Sequence, residues 1–158
     1  MPDAGRVPIR DDLASLEASG FAFPGPLRDE LTALALAGTK TTTAGLFAEL
    51  EAEGLALAKP GDREVLLDSD ERPVAVIEIV ESRVVRLADV DDRHAIDEGE
   101  GYRDAAEFRV AHERFWNGYI DVLRRTITPD FAIDDDTLVV LQRFKVVERL
   151  RDDQVGAG

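Results

Sequence analysis

The chain has 158 residues, 44% hydrophobic and 33% charged, with a formal net charge of −14 and no cysteine. That length makes one domain with a core of its own, and the absence of cysteine excludes disulfides, thiolate metal sites and a cysteine nucleophile. Because polynucleotides are bound largely by cationic side chains that displace counterions, so acidic a surface turns the expected partner away from long nucleic acid, and no DNA partner is expected.

In chain order, Met1–Arg10 carries Pro2, Asp3, Gly5 and Pro8 where a secretory signal needs an apolar core. With no apolar run near the length of a membrane span, the expectation is a cytoplasmic protein with no membrane partner. Residues 1–19 read as an N-terminal arm, loose over 1–12, with a short helix over Asp12–Ser19 through Leu13 and Leu16. Pro26 then opens a helix over Leu27–Ala37, with Asp29 and Glu30 in its first turn and Leu27, Leu31 and Leu34 on one face.

That helix delivers the chain to Gly38-Thr39-Lys40-Thr41-Thr42-Thr43, one lysine among four hydroxyls. Two readings stand. Gly38 is a simple C-terminal cap with Lys40 facing the negative end of the dipole, or the lysine is presented to a ligand.

Ala44–Glu53 reads as a second helix with Leu46, Phe47 and Leu50 inward, stopped at Gly54. Lys59-Pro60-Gly61-Asp62 is a turn, and Arg63–Leu67 and Pro73–Val80 form a hairpin around the polar turn 68–72. In the second of these strands Val74, Val76, Glu78 and Val80 share one face and Ala75, Ile77 and Ile79 the other. Both faces are apolar, so Glu78 is expected to be at least partly drawn out of water and to need a cation or a proton, with Lys40 and Arg143 as candidate partners. Val84–Leu87 extends the sheet.

Asp91–Glu98 reads as a short helix carrying His94, broken by Gly99-Glu100-Gly101. His94 has acidic neighbours but no second histidine at ligand spacing, so no metal site is expected. Tyr102–Arg125 is the longest helical pattern, with Phe108, Phe115, Trp116, Tyr119 and Leu123 as its buried stripe and His112 on the same face, as a core residue or a functional one. Thr126–Asp136 is a loop, Thr137–Val147 the last strand, and 151–158 a tail expected to be disordered. The domain proper is 20–150.

The order and spacing of Gly38-x-Lys40-x-x-Thr43, Pro60-Gly61-Asp62, Val76-Ile77-Glu78-Ile79, Glu98-Gly99-Glu100-Gly101, the helix with His112 and Phe115, and Arg143-Phe144-Lys145-Val146-Val147 resemble the ASCH domain family, its larger bacterial members in particular. The resemblance implies an α+β, PUA-like fold: a small mixed β-barrel with flanking helices and a cleft for a nucleoside-like ligand or short RNA. Small members similar at these motifs hydrolyse the acetyl amide of N4-acetylcytidine with a Lys, Thr and Glu set, which by motif falls here on Lys40, Thr43 and Glu78 as catalytic residues. Thr41, Thr42, His112 and Arg143 are then the ligand-binding candidates. No cofactor is implied, and a non-catalytic RNA-binding module or a ribonuclease remains the alternative.

Overall fold

The computed structural model describes residues 11–150; the predicted disordered tail and the first ten residues of the predicted arm lie outside them. The order is α1 (Asp11–Ala14), β1 (Glu17–Ser19), α2 (Pro26–Leu36), β2 (Thr42–Leu46), α3 (Phe47–Ala52), β3 (Arg63–Leu67), β4 (Pro73–Arg86), α4 (Asp92–Asp97), α5 (Ala105–Asn117), α6 (Ile120–Thr126) and β5 (Leu138–Arg149). One mixed sheet runs β1-β3-β4-β5-β2, so the architecture is α+β. The sheet is roughly barrel-like but does not close, and β1 and β2 are its edges.

The long strands β4 and β5 form the spine, paired from Ala75↔Arg149 to Arg86↔Leu138. Register shifts between Val76 and Ile77 and between Ile79 and Glu81 bend the pair. Bulges of this kind add twist and change which side chains face inward, and here they let one strand pair serve two cores. Val139 and Leu141 of β5 pack with Leu46, Phe108, Trp116 and Leu123 under α4, α5 and α6. Two residues past Gln142 the same strand sends Phe144 into a different cluster, with Phe21, Leu31, Ala35, Leu66, Ala75, Ile77 and Ile79 beneath α2. A third, small cluster of Leu13, Val65, Val76 and Leu150 sits on the other face of the β3–β4 hairpin.

Several expectations are corrected. Residues 44–46, read as the start of a helix, belong to β2, with Ala44 opposite Leu141 and Leu46 opposite Val139. A short segment of alternating small and apolar residues cannot be assigned by period alone, and the hydrogen-bonding edge of β5 decides it. The predicted helix over Asp12–Ser19 keeps only its first turn, and Glu17–Ser19 pairs in parallel with β3 as an edge strand. The long helix over Tyr102–Arg125 breaks at Asn117-Gly118, where Tyr119 leaves helical geometry before α6 begins. Of its predicted stripe, Phe108, Trp116 and Leu123 are buried, while Phe115 and Tyr119 are only partly so.

Candidate functional site

Lys40 is placed by how α2 ends. Gly38 turns the chain with φ 80°, and the Thr39 and Lys40 amides both donate to the Leu34 carbonyl, at 3.0 and 3.1 Å. A left-handed glycine closing the last turn in this way satisfies the orphan carbonyls of the helix and aims the next side chain back under it. The following residues are stitched to α4: Thr41 N donates to Asp97 O at 2.9 Å, Thr41 Oγ1 to the same oxygen at 3.3 Å, and Thr42 Oγ1 to His94 O at 3.0 Å. The two loops touch so closely that a Cβ on Gly99 would lie 2.4 Å from Thr39 O.

The result is a buried charge cluster. Lys40 is 2% exposed and Glu98 1%. Lys40 Nζ donates to Glu100 Oε2 at 2.9 Å, to Glu98 Oε1 at 3.4 Å and to the Glu98 carbonyl at 3.3 Å, and lies 5.3 Å from the centre of the Phe21 ring. His94, one turn before Glu98 on α4, donates from Nε2 to Glu98 Oε2 at 2.8 Å. Tyr102 Oη donates to Glu100 Oε1 at 3.3 Å. His112 Nδ1 donates to Phe108 O at 2.9 Å, which leaves Nε2 facing Glu98 Oε1 at 3.6 Å.

Burial by itself raises the Glu98 carboxyl, but the Lys40 charge, the bond from His94 and the fields of both imidazoles outweigh it and bring it down to about 2. Glu100 moves the other way: burial raises it, Lys40 opposes, and the neighbouring Glu98 adds to the rise. Burial also depresses His112, against the pull of Glu98 and with Lys40 and His94 adding to the depression. Because the folded Glu98 lies below its ordinary 4.5, its contribution to stability is complete above about pH 4.5 and is lost as the pH falls towards 2. On the order of 3 kcal/mol is involved. Denaturant midpoints between about pH 6 and pH 3 should therefore fall steeply for the native protein and more gently for Glu98→Gln; equal slopes would show that Glu98 is not the group responsible.

These residues form the floor of a pocket of about 270 Å³. Its walls are Phe21, Leu27, Leu31, Phe115 and Trp116, and its polar groups are Lys40, Thr43, Glu98, Glu100, Tyr102 and His112. An apolar enclosure with a few converging polar groups is the usual form of a small-molecule site, and this one lies just below the usual range of ~300–1,000 Å³. Among the described residues none holds the Thr43 hydroxyl in a hydrogen bond, so it is available to a guest. No group of three or more His, Asp or Glu among the described residues is arranged for a metal ion; here the Lys40 amine fills the centre.

Of the residues predicted from the sequence, Lys40, Thr43 and His112 are brought together. Glu78 is not with them: it accepts from Arg63 Nε across the hairpin at 3.1 Å and faces Lys145 Nζ on β5 at 3.5 Å. As expected, Glu78 is partly withdrawn from water, the small α1 cluster covering Val76 while Val80 stays exposed. Thr41 and Thr42 bond α4 carbonyls, and Arg143 pairs with Asp97 at 2.7 Å in a separate cleft on the Arg83 and Arg93 side. Sequence reasoning missed Glu98, Glu100, His94 and Tyr102 as site members. The available signal was His94 and Glu98 at i, i+4, a spacing that puts both on one helical face, with a second acid just past a glycine.

Fold and site together define a small α+β domain whose curled sheet and helices enclose a lysine between two carboxylates. A family model for the ASCH domain matches residues 19–148, and the chain belongs to the ASCH domain family. Two solved structures are similar in fold. Protein EF3133 from Enterococcus faecalis V583, of family DUF984, shares 22% identity over 87% of this chain and 80% of its own, with a TM-score of 0.74. An ASCH domain from Lactobacillus crispatus JV V101 shares 24% identity over 89% of this chain and 87% of its own, with a TM-score of 0.73. The comparison with curated proteins gives no match. Among the described residues no helix is long and apolar enough to cross a membrane.

Proposed function

We propose that the protein hydrolyses the exocyclic amide of an acylated nucleoside, an N4-acetylcytidine-like substrate, in the pocket above Lys40. The observation that carries this reading is the pairing of the Lys40 amine with both Glu98 and Glu100 at the floor of a pocket of nucleoside scale. Lys40 Nζ lies between the two carboxylates at the pocket floor, and on binding one of its three N–H bonds passes from the Glu98 carbonyl, at 3.3 Å, to the acyl oxygen, where it stabilises the charge that develops. A cation shared by two carboxylates has little charge left for a phosphate, which favours a neutral carbonyl ligand over an RNA backbone. The aromatic walls suit the faces of a base, and Thr43 completes the polar contacts from the free side of β2. The acid of the lysine-threonine-acid set then falls on Glu98, with Glu78 outside it.

Incubation of the purified protein with N4-acetylcytidine should release cytidine and acetate. Lys40→Met, which keeps the volume and removes the charge, should lower kcat by about 10²–10³, the usual cost of a lost oxyanion donor. Undiminished turnover in that variant overturns the assignment. Glu98→Gln and Glu78→Gln decide which acid belongs to the set: loss confined to the first supports the floor described above, and loss confined to the second removes Glu98 from it.

A further inference from the structure

Amide hydrolysis needs a group to take a proton from the attacking water, and Lys40 Nζ is already engaged with Glu98 and Glu100. Glu98 is committed to Lys40 and His94, and its low proton affinity removes it as an acceptor. Glu100 accepts from Lys40 and Tyr102. One pocket nitrogen, His112 Nε2, is within hydrogen-bond distance of no group among the described residues, the nearest carboxylate oxygen being Glu98 Oε1 at 3.6 Å. His112 is fixed by its Nδ1–H bond to Phe108 O and by stacking on the Phe108 ring at 3.8 Å between centroids. With the proton held on Nδ1, Nε2 is an acceptor that no hydrogen bond among the described residues reaches, and the imidazole lines the pocket.

We infer that His112 Nε2 is the proton acceptor of the reaction, a role that rests on the amide-hydrolysis reading above. The water oxygen bonds to the acyl carbon as its proton passes to Nε2, and the carbonyl electrons move to the oxygen facing Lys40 Nζ. The tetrahedral adduct then collapses, the C–N bond breaks, and the Nε2 proton transfers to the departing exocyclic amine. The products are the free amine on the base and a carboxylic acid, and the imidazole is returned neutral. Around the imidazole stand His94 from α4 and Glu98 just past its end, Lys40 from the segment before β2, and Glu100 and Tyr102 from the loop before α5. Burial of the ring outweighs the pull of Glu98, with Lys40 and His94 adding to the depression, and holds the imidazole below the ordinary histidine value, so the acid limb of kcat/KM belongs below pH 6.5.

The test is the pH profile of N4-acetylcytidine hydrolysis for the native protein and His112→Gln, with imidazole ¹⁵N shifts of the native protein followed over the same range. The expected result is a loss of about 10²–10⁴ in kcat with little change in KM, disappearance of the acid limb, and a native Nε2 titration that coincides with that limb. Retention of kcat or of the acid limb by His112→Gln overturns the role while leaving the hydrolase reading intact. If His112→Gln does not fold, a native Nε2 titration displaced from the acid limb overturns the role by itself. A native protein without turnover overturns the hydrolase reading, and the role with it.

Discussion

Glu98→Ala should lower the unfolding free energy by roughly 3–5 kcal/mol, the usual cost of removing one partner of a buried ion pair. The reason is local. Lys40 and Glu98 are almost completely shielded from water, so the charge left behind cannot recover its hydration. Glu98 is also the acceptor for His94 Nε2, and truncation leaves that buried donor without a partner. The remaining carboxylate, Glu100, sits 2.9 Å from Lys40 Nζ and retains part of the pairing, which keeps the expected loss below a complete orphaning of the lysine. Urea titration of both proteins at neutral pH measures it. A difference under about 1 kcal/mol would mean that Lys40 is not held by Glu98 in solution, and the charge balance of the pocket floor would have to be rebuilt around Glu100 alone.

Gly99→Ala should cost roughly 2–5 kcal/mol and weaken the site together with the fold. Gly99 has φ 72° and an added Cβ would meet Thr39 O at 2.4 Å and Lys40 Cα at 2.8 Å, both backbone atoms that cannot swing aside. Relief requires the 98–100 loop to move off the 38–40 loop, which lengthens the contacts from Lys40 to both carboxylates. Gly101→Ala is the comparison. Its φ is 93°, but nothing lies within 4 Å of the added atom, so it carries only the conformational cost of about 1–2 kcal/mol. Equal destabilisation of the two variants would show that close approach of the loops contributes nothing, and denaturant midpoints with turnover measured in parallel give both halves of the answer.

Much of the frame was legible before any coordinates. Helix α2 announced itself through Pro26, the early Asp29 and the glycine that ends it, and the β3–β4 hairpin through two branched-chain runs around a polar turn. Lys40 stood out because a lysine among hydroxyls directly behind a helix has few structural duties. The failures share one physical cause. β2 and β1 are edge strands whose pairing partners, Leu141 and Val65 among them, lie far along the chain, so nothing local separates them from short helices. The end of α5 was written in Asn117-Gly118, but the apolar stripe continued across it into α6 and hid the break.

The separation of Glu78 from Lys40 has the same origin. Glu78 drew attention because it interrupts an apolar strand, and alternation does place it opposite Ala75, Ile77 and Ile79. Which cation such a carboxylate meets depends on strand register, and register put Arg63 and Lys145 beside it. By itself, then, the amino-acid order determined the family, the principal helix and hairpin, and the lysine that follows α2, because those are written in short-range pattern and turn chemistry. Only the tertiary structure decided that the acids of the pocket are Glu98 and Glu100, since that required a helix end some sixty residues downstream to fold back against the lysine's own loop, a contact permitted by the missing side chain of Gly99.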